Sequence, residues 1–462
     1  MRFLPHTPGD VARMLEAIGI ADVDALFPSV PAALKARAGL SLPGGLGERE
    51  VLERMSALAD ANQLLPSFQG AGAYRHFVPA AVSMVMGRSE FATSYTPYQP
   101  EVSQGTLQAS FEFQTYVARL AGLEVANASM YDGASAFAEA LLMALRIHKG
   151  RQRLLVSAGI HPEYLEVART YLEGYGRGQI VEIPVGADGR TDMQALQASI
   201  GADSDVACVA IGYPNFFGVI DDLPEASRIA KACGAVPISV TTEALALALL
   251  RSPGSCGADI AVAEGQSLGL PVSYGGPGLG LFATRTTQVR QMPGRLVGQT
   301  VDEEGRRGYV LTLSTREQHI RREKATSNIC TNQGLAALCV TVYMSLTGRR
   351  GLRELAIENT QAAHRVAERM TREAGLSLSF RAPFFNEFTM DVPDCEHVFE
   401  RAVAAGVIPG VKIAKLLPNH PEHKDRLLVA VTETTRPEHI DLLISTLKQN
   451  ATPAAATKRA SA

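Results

Sequence analysis

Apolar positions change their period several times along this 462-residue chain, and the changes divide it into stretches of different build. Up to about Leu65 the spacing is helical: Thr7-Pro8-Gly9-Asp10 can cap GDVARMLEAIGI, and residues 47–64 repeat apolar positions at three and four. This predicts a helical N-terminal arm over 1–65. From Pro66 to Gln104 the periodicity gives way to Gly, Pro, Tyr and Ser, and so long an aperiodic stretch inside a compact protein points to function. Helical spacing returns from Leu107 in LQASFEFQTYVARLAGL and, after a loop at 127–133, in ASAFAEALLMALRIHKG. Then LLVSAGI, QIVEIPV, VACVAIGY, AVPISVTT and DIAVAEG alternate with helical segments, and several are apolar throughout, as strands buried on both faces of a parallel sheet are. The pattern predicts an α/β fold, with a large doubly wound, mostly parallel sheet domain over 66–330.

Beyond Thr331 the helical run NQGLAALCVTVYMSLTG and another from about Ala356 to Ala374 precede LSLSF, FNEFTMDV, a helix near His397–Ala405, RLLVAVTE and a last helix from Pro437 to Gln449. This alternation predicts a small C-terminal α/β domain over 331–449. The tail over 450–462, Asn450 followed by ATPAAATKRASA, has the low complexity of a disordered segment. No internal repeat has a solenoid period.

Composition narrows the function classes. The 44 basic and 47 acidic residues are interspersed and give a formal net charge of −3, so bulk electrostatics favour neither nucleic acid nor an anionic membrane. No apolar run approaches the ~18 residues of a membrane span. The start MRFLPHTPGD lacks a basic segment followed by an apolar core. Six scattered cysteines, mostly in apolar stretches, are expected to be buried reduced thiols, in keeping with a cytoplasmic protein.

The strand–helix alternation ends in a glycine-rich turn, Tyr274-Gly275-Gly276-Pro277-Gly278, which together make the frame of a pyridoxal-phosphate enzyme. Such an enzyme needs a lysine for the Schiff base and an acid against the pyridine nitrogen. Here the only lysine between Lys149 and Lys324 is Lys231, inside the helical run EASRIAKACG, and no Asp lies between Asp222 and Asp259. The frame is present without its chemistry. The densest remaining candidate is YTPYQPEVSQG, where Tyr95, Tyr98, Gln99, Glu101, Ser103 and Gln104 stand between prolines that fix backbone φ and present side chains at low entropic cost. By composition alone an ordinary polar loop satisfies the same pattern.

That string resembles the corresponding loop of the P-protein of the glycine cleavage system. The resemblance continues in ANASMYDGASAFAEAL (126–141), AEGQSLGLPVSYGGPGLGLFATR (263–285) and REKATSNICTNQ (322–333), covering the chain from about Gly70 to the start of the small domain. P-proteins occur as one long chain of two homologous halves or as two subunits, and only the second half carries the cofactor lysine, five residues before a proline that leads into the glycine-rich turn. Counting back from Pro271 gives Gln266, an amide that cannot form an imine. The strand VPISVTTEAL, which should offer the acid, has its first carboxylate at Glu243, beyond the expected position. The resemblance therefore implies subunit 1, the half without the cofactor, in the type I fold of pyridoxal-phosphate transferases.

The resemblance also implies the reaction and its partners. Subunit 2 binds pyridoxal phosphate, glycine loses CO2 there, and the aminomethyl group passes to the lipoyl arm of the H-protein. The assembly expected is a two-plus-two tetramer. Tyr95, Tyr98, Gln99, Glu101, Ser103 and Gln104 become candidate contributors to the partner's site. Gln266, Gly275, Gly276 and Gly278 mark a degenerate site that holds no covalent cofactor, and no metal is expected. The glycine turn is then a packing element at the subunit interface.

Other segments offer alternatives. Asp132-Gly133-Ala134-Ser135, at a helix start, can either present N–H groups to an anion or act as a cap. The family string Gly70–Phe77 departs at Arg75, where a polar residue such as Asp is expected, and His76 and His161 are the histidines nearest functional loops. Arg316, Arg321, Arg322 and Lys324 form a cationic cluster at a helix start, read as solvated or interface charge or as a surface for an acidic carrier. Two rival functions remain: a catalytically silent scaffold for the cofactor-bearing subunit, and an independent pyridoxal enzyme using Lys231 or Lys324. The second is disfavoured because Lys231 sits mid-helix and Lys324 lies beyond the lysine loop of the fold.

Overall fold

The computed structural model describes residues 6–39, 41–201, 205–327 and 329–448, and the chain forms two compact units, Met1–Leu64 and Leu65–Ala462. The tail 450–462 and Gln449, the expected end of the last helix, lie outside the described residues.

The first unit has helices Pro8–Ile18, Ala32–Arg37 and Glu48–Asp60. Thr7 caps the first of them: its hydroxyl accepts from the N–H of Asp10, and the Asp10 carboxylate accepts from the N–H of Thr7. This reciprocal box satisfies two of the donors that a helix start leaves unpaired.

The second unit is built on a seven-stranded sheet of β1 (Val125–Ala126), β2 (Arg153–Ser157), β3 (Gln179–Ile183), β4 (Val206–Gly212), β5 (Val236–Thr241), β6 (Ile260–Glu264) and β7 (Gly280–Thr284), in the order β1-β7-β6-β5-β4-β2-β3. Strands β2 to β6 pair in parallel, and β7 runs antiparallel to both its neighbours. Every residue of β4, β5, β6 and β7 is buried, which is why these strands read as apolar runs without alternation. Helix Gly133–Ile147 lies over the sheet, and Phe137, Leu141 and Met143 on it are fully buried in the main core. Each such side chain contributes about 1.5–3 kcal/mol.

The pattern of apolar residues did not announce β7, whose first residue, Gly280, stands two residues past the glycine-rich turn. It also missed the hairpin of β8 (Leu296–Val301) and β9 (Arg307–Thr312), whose far end, from Gln299 to Val301 and at Arg307, is exposed. The helix expected from Leu107 starts at Gln104, inside the predicted loop, and runs to Ala121.

The C-terminal part begins with the helical stretch Gly334–Ala374, which Gly348 breaks in two with φ 58° and ψ −178°. A four-stranded antiparallel sheet follows, built from β10 (Ser377–Leu378), β11 (Glu387–Asp391), β12 (Val411–Lys412) and β13 (Arg426–Ala430) in the order β10-β11-β13-β12. It presses against the turn after β4, where a Cβ on Gly218 would stand 2.0 Å from the Glu387 carbonyl oxygen. Among the described residues no helix is long and apolar enough to cross a membrane.

Candidate functional site

Gln266 lies just past the C-terminal end of β6, and its amide is fully engaged by backbone. Its Oε1 accepts from the N–H of Tyr74 at 2.9 Å, while its Nε2 donates to the carbonyls of Tyr74 (2.9 Å) and Leu270 (2.8 Å). Two bonds to one residue make a strand-like clamp, so the side chain at the expected imine position pins the segment 70–76 over the strand ends. Tyr74 is buried, and its hydroxyl donates to Glu387 Oε2 at 2.8 Å. The other Glu387 oxygen accepts from the N–H of Ala71 at 2.6 Å. Burial pushes the Glu387 carboxyl up to about 7.

Two residues before Gln266, the buried Glu264 reaches the start of helix Gly133–Ile147. Its Oε2 accepts from the N–H of Gly133 at 2.8 Å, and its Oε1 from the N–H groups of Leu279 (2.8 Å) and Gln266 (3.0 Å). Asp132 caps the same helix through Ser135, so the capping role foreseen for this segment holds. Its first free N–H is taken by the chain's own carboxylate.

Beside these, His76 is held between two carboxylates, Glu243 at 3.0 Å and Glu433 at 2.9 Å. Burial of the ring opposes its charge, but the two carboxylates outweigh this and lift His76 to about 10. Glu433 also accepts from the N–H of Phe77 and from Asn359, and is held down at about 2 against the cost of its own burial. Glu243, the first acid after β5, is therefore spent on His76, Asn386 and the N–H of Leu245. His161 accepts through Nδ1 from the N–H of Glu163, its Nε2 bonds the carbonyl of Ala71, and Gly72 packs against its ring.

The loop Tyr95–Gly105 is anchored from behind by an arginine that sequence reasoning passed over. Arg295, 4% exposed, pairs with Glu317 at 3.2 Å, donates to Thr96 Oγ1 (3.2 Å), Tyr98 Oη (3.1 Å) and the Cys330 carbonyl, and lies 5.3 Å from the Tyr98 ring centroid. Its signal in the sequence was an arginine between Gly294 and the apolar pair Leu296-Val297. Tyr98 is half exposed, its ring edge on His319, while Tyr95, Gln99 and Glu101 are exposed and Ser103 is half-buried. Gln104 is used internally: its amide donates to the carbonyls of Pro100 and Tyr309 and accepts from the N–H of Tyr309, tying the helix start to β9. Tyr95, Thr96 and Pro97 roof a cavity of about 300 Å³ with Arg295, Asn332 and Leu335 below.

The glycine turn after Gln266 projects outward. Tyr274 is 97% exposed, and φ is positive at Ser273, Tyr274, Gly275 and Gly276. Gly278 packs against Glu264, where a Cβ would meet Oε2 at 2.9 Å. The cationic cluster is smaller than expected, because Arg316 is buried and donates to the carbonyls of Met292 and Gly294, whereas Arg321, Arg322 and Lys324 are exposed. His420, Glu422 and His423 could group around a metal, but Arg426 already donates to Nδ1 of His423.

The profile of the family described as Glycine cleavage system P-protein matches residues 1–447. The chain belongs to that family. A relative named probable glycine dehydrogenase (decarboxylating) subunit 1 from Anaeromyxobacter dehalogenans (strain 2CP-C) is 53% identical over 449 residues, covering 97% of this chain and 100% of its own length. The protein of that name from Rhodospirillum rubrum is 50% identical over 455 residues, again 97% and 100%. Among solved structures, the inhibitor-bound glycine decarboxylase (P-protein) of the glycine cleavage system superposes with a TM-score of 0.86 at 42% identity, covering 96% of this chain and 99% of that one. A NifS-like protein from Rickettsia africae shares the fold at a TM-score of 0.61 and 14% identity, covering 84% and 99%. The fold is type I of the pyridoxal-phosphate enzymes, as the resemblance implied.

This P-protein chain does not fit that cofactor. The expected imine position holds an amide already clamped to Tyr74, the Gly133 N–H at the helix start is taken by Glu264, and Gly72 packs on the ring of His161.

Proposed function

We propose that this chain is subunit 1 of a two-subunit glycine decarboxylase. With subunit 2, it decarboxylates glycine and transfers the aminomethyl group to the lipoyl arm of the H-protein. The observation that carries the reading is Gln266: a chain of the P-protein family has, where the resemblance expects the reactive lysine, a side chain whose amide oxygen and nitrogen are both bonded to backbone. A chain of this fold that seats no cofactor contributes to the reaction from outside, by completing a site on a homologous partner. Pyridoxal phosphate then belongs to subunit 2.

The surface supports such a role. Tyr95, Val102 and Tyr274 are large apolar side chains standing in solvent, and Leu335 is partly exposed in the cavity that Tyr95 roofs. Covered by a partner in a two-plus-two tetramer, Tyr95, Tyr98, Gln99, Glu101 and Ser103 form a polar wall that orients glycine and keeps water out. The silent-scaffold alternative draws on Gln104, whose hydrogen bonds are all internal. We place the complex in the cytoplasm, in keeping with six cysteines none of which is paired. Co-expression with a candidate subunit 2 and a glycine–bicarbonate exchange assay tests partner and reaction together. Exchange that needs both chains supports the reading, and exchange by subunit 2 alone at the same rate refutes a catalytic contribution.

A further inference from the structure

We infer that Glu264 is a built-in replacement for the cofactor's phosphate, and that its carboxylate keeps phosphate compounds out of this subunit. Three backbone N–H groups, of Gly133, Gln266 and Leu279, converge on its two oxygens within 3.0 Å. Gly133 opens a helix 131 positions away, Leu279 follows the glycine turn 15 positions on, and Gln266 is two residues past Glu264 itself. A helix N-terminus with additional backbone donors is the arrangement that receives phosphate in α/β folds, because the N–H groups and the helix dipole both favour negative charge. Here every hydrogen bond to the carboxyl is accepted and none donated, which suits the ionised group; burial pushes the carboxyl up, and the three N–H donors oppose that push. Glu264 is 6% exposed, and Gly278 leaves no room for a Cβ beside its oxygen, so the donors and the charge they receive are sealed together.

The inference concerns this chain alone and stands whether or not subunit 2 is the partner. Removing the carboxylate vacates a seat with three N–H donors and no compensating charge, and inorganic phosphate is the simplest probe of it. Equilibrium dialysis of the full-length chain against labelled phosphate, at ionic strength fixed with chloride, compares parent, Glu264→Gln and Glu264→Ala. The parent is expected to show no saturable binding, Glu264→Ala stoichiometric binding, and Glu264→Gln, which keeps the acceptor oxygen and fills the space, binding at least roughly tenfold weaker than Glu264→Ala. Saturable binding by the parent overturns the inference, as does a Glu264→Ala chain that keeps the parent's circular dichroism yet takes up no phosphate. If Glu264→Ala does not fold in phosphate-free buffer, phosphate must restore its melting transition where chloride does not. Failure of that rescue also overturns it.

Discussion

The imidazole of His76 donates to Glu243 across 3.0 Å while its other nitrogen faces Glu433 at 2.9 Å, and this joins the end of β5 to the C-terminal sheet through one buried ring. Because the folded-state value of His76 is lifted from 6.5 to about 10, the imidazolium stabilises the fold fully below about pH 6.5 and progressively less as pH rises towards 10. Glu387, lifted by burial from 4.5 to about 7, adds a loss of the same sign between those values. Thermal melts should therefore fall steadily from pH 6.5 to pH 10. His76→Gln should melt lower at pH 6.5 and flatten the slope above it. An unchanged slope would show that the ring is not charged in the folded chain.

Gln266→Ala removes the clamp but leaves the N–H and carbonyl of Tyr74 buried. Each backbone group left unpaired costs about 1–3 kcal/mol. The variant should melt lower than the parent, and hydrogen exchange should quicken first over residues 70–76. In the parent, borohydride reduction in the presence of pyridoxal phosphate should leave the chain's mass unchanged. A stoichiometric pyridoxyl adduct on any one lysine would falsify the assignment of this subunit as the cofactor-free half.

Gly218→Ala tests how tightly the C-terminal sheet is seated. Its backbone has φ 85°, which disfavours any side chain, and the new Cβ would stand 2.0 Å from the Glu387 carbonyl and 3.0 Å from the Phe388 nitrogen. Neither is the end of a flexible side chain, so the backbone of β11 must move, at a cost of at least about 2 kcal/mol. Urea melts should show a lower midpoint. A midpoint equal to the parent's would mean that the two sheets slide freely.

Much of the architecture was legible because the buried strands are apolar on both faces and the helices between them keep their period. The large sheet's β4, β5 and β6 follow directly from VACVAIGY, AVPISVTT and DIAVAEG. The site was legible only in what it lacks. That Gln266 cannot form an imine is a property of one residue, whereas its clamp on Tyr74 spans 192 positions and the His76–Glu433 contact 357. Arg295, Glu264 and Glu387 were missed for the same reason, since a buried charge shows its purpose only through partners that the fold supplies. Arg316 was misread as surface charge because nothing in its neighbours reveals the carbonyls of Met292 and Gly294 that receive it.

The loop Tyr95–Gly105 offers the last and most direct test of function, because its parts are separable. Arg295 fixes it from behind, so Arg295→Ala strands the buried Glu317 and is expected to cost about 3–5 kcal/mol in stability. Arg295→Lys keeps the charge and loses the fork that spans Thr96 and Tyr98, which should lower turnover of the reconstituted complex more than its melting temperature. Tyr95, Gln99 and Glu101 are exposed, and replacing Tyr95 or Glu101 leaves the core untouched. If these side chains wall the partner's site, Tyr95→Ala, Tyr98→Phe and Glu101→Gln should assemble normally, while misplacement of the wall lowers turnover by as much as about a hundredfold in the worst case. Glycine–bicarbonate exchange measured beside sizing chromatography separates the two effects. Should all three variants assemble and exchange like the parent, the loop is structural and the chain is a scaffold for its cofactor-bearing partner.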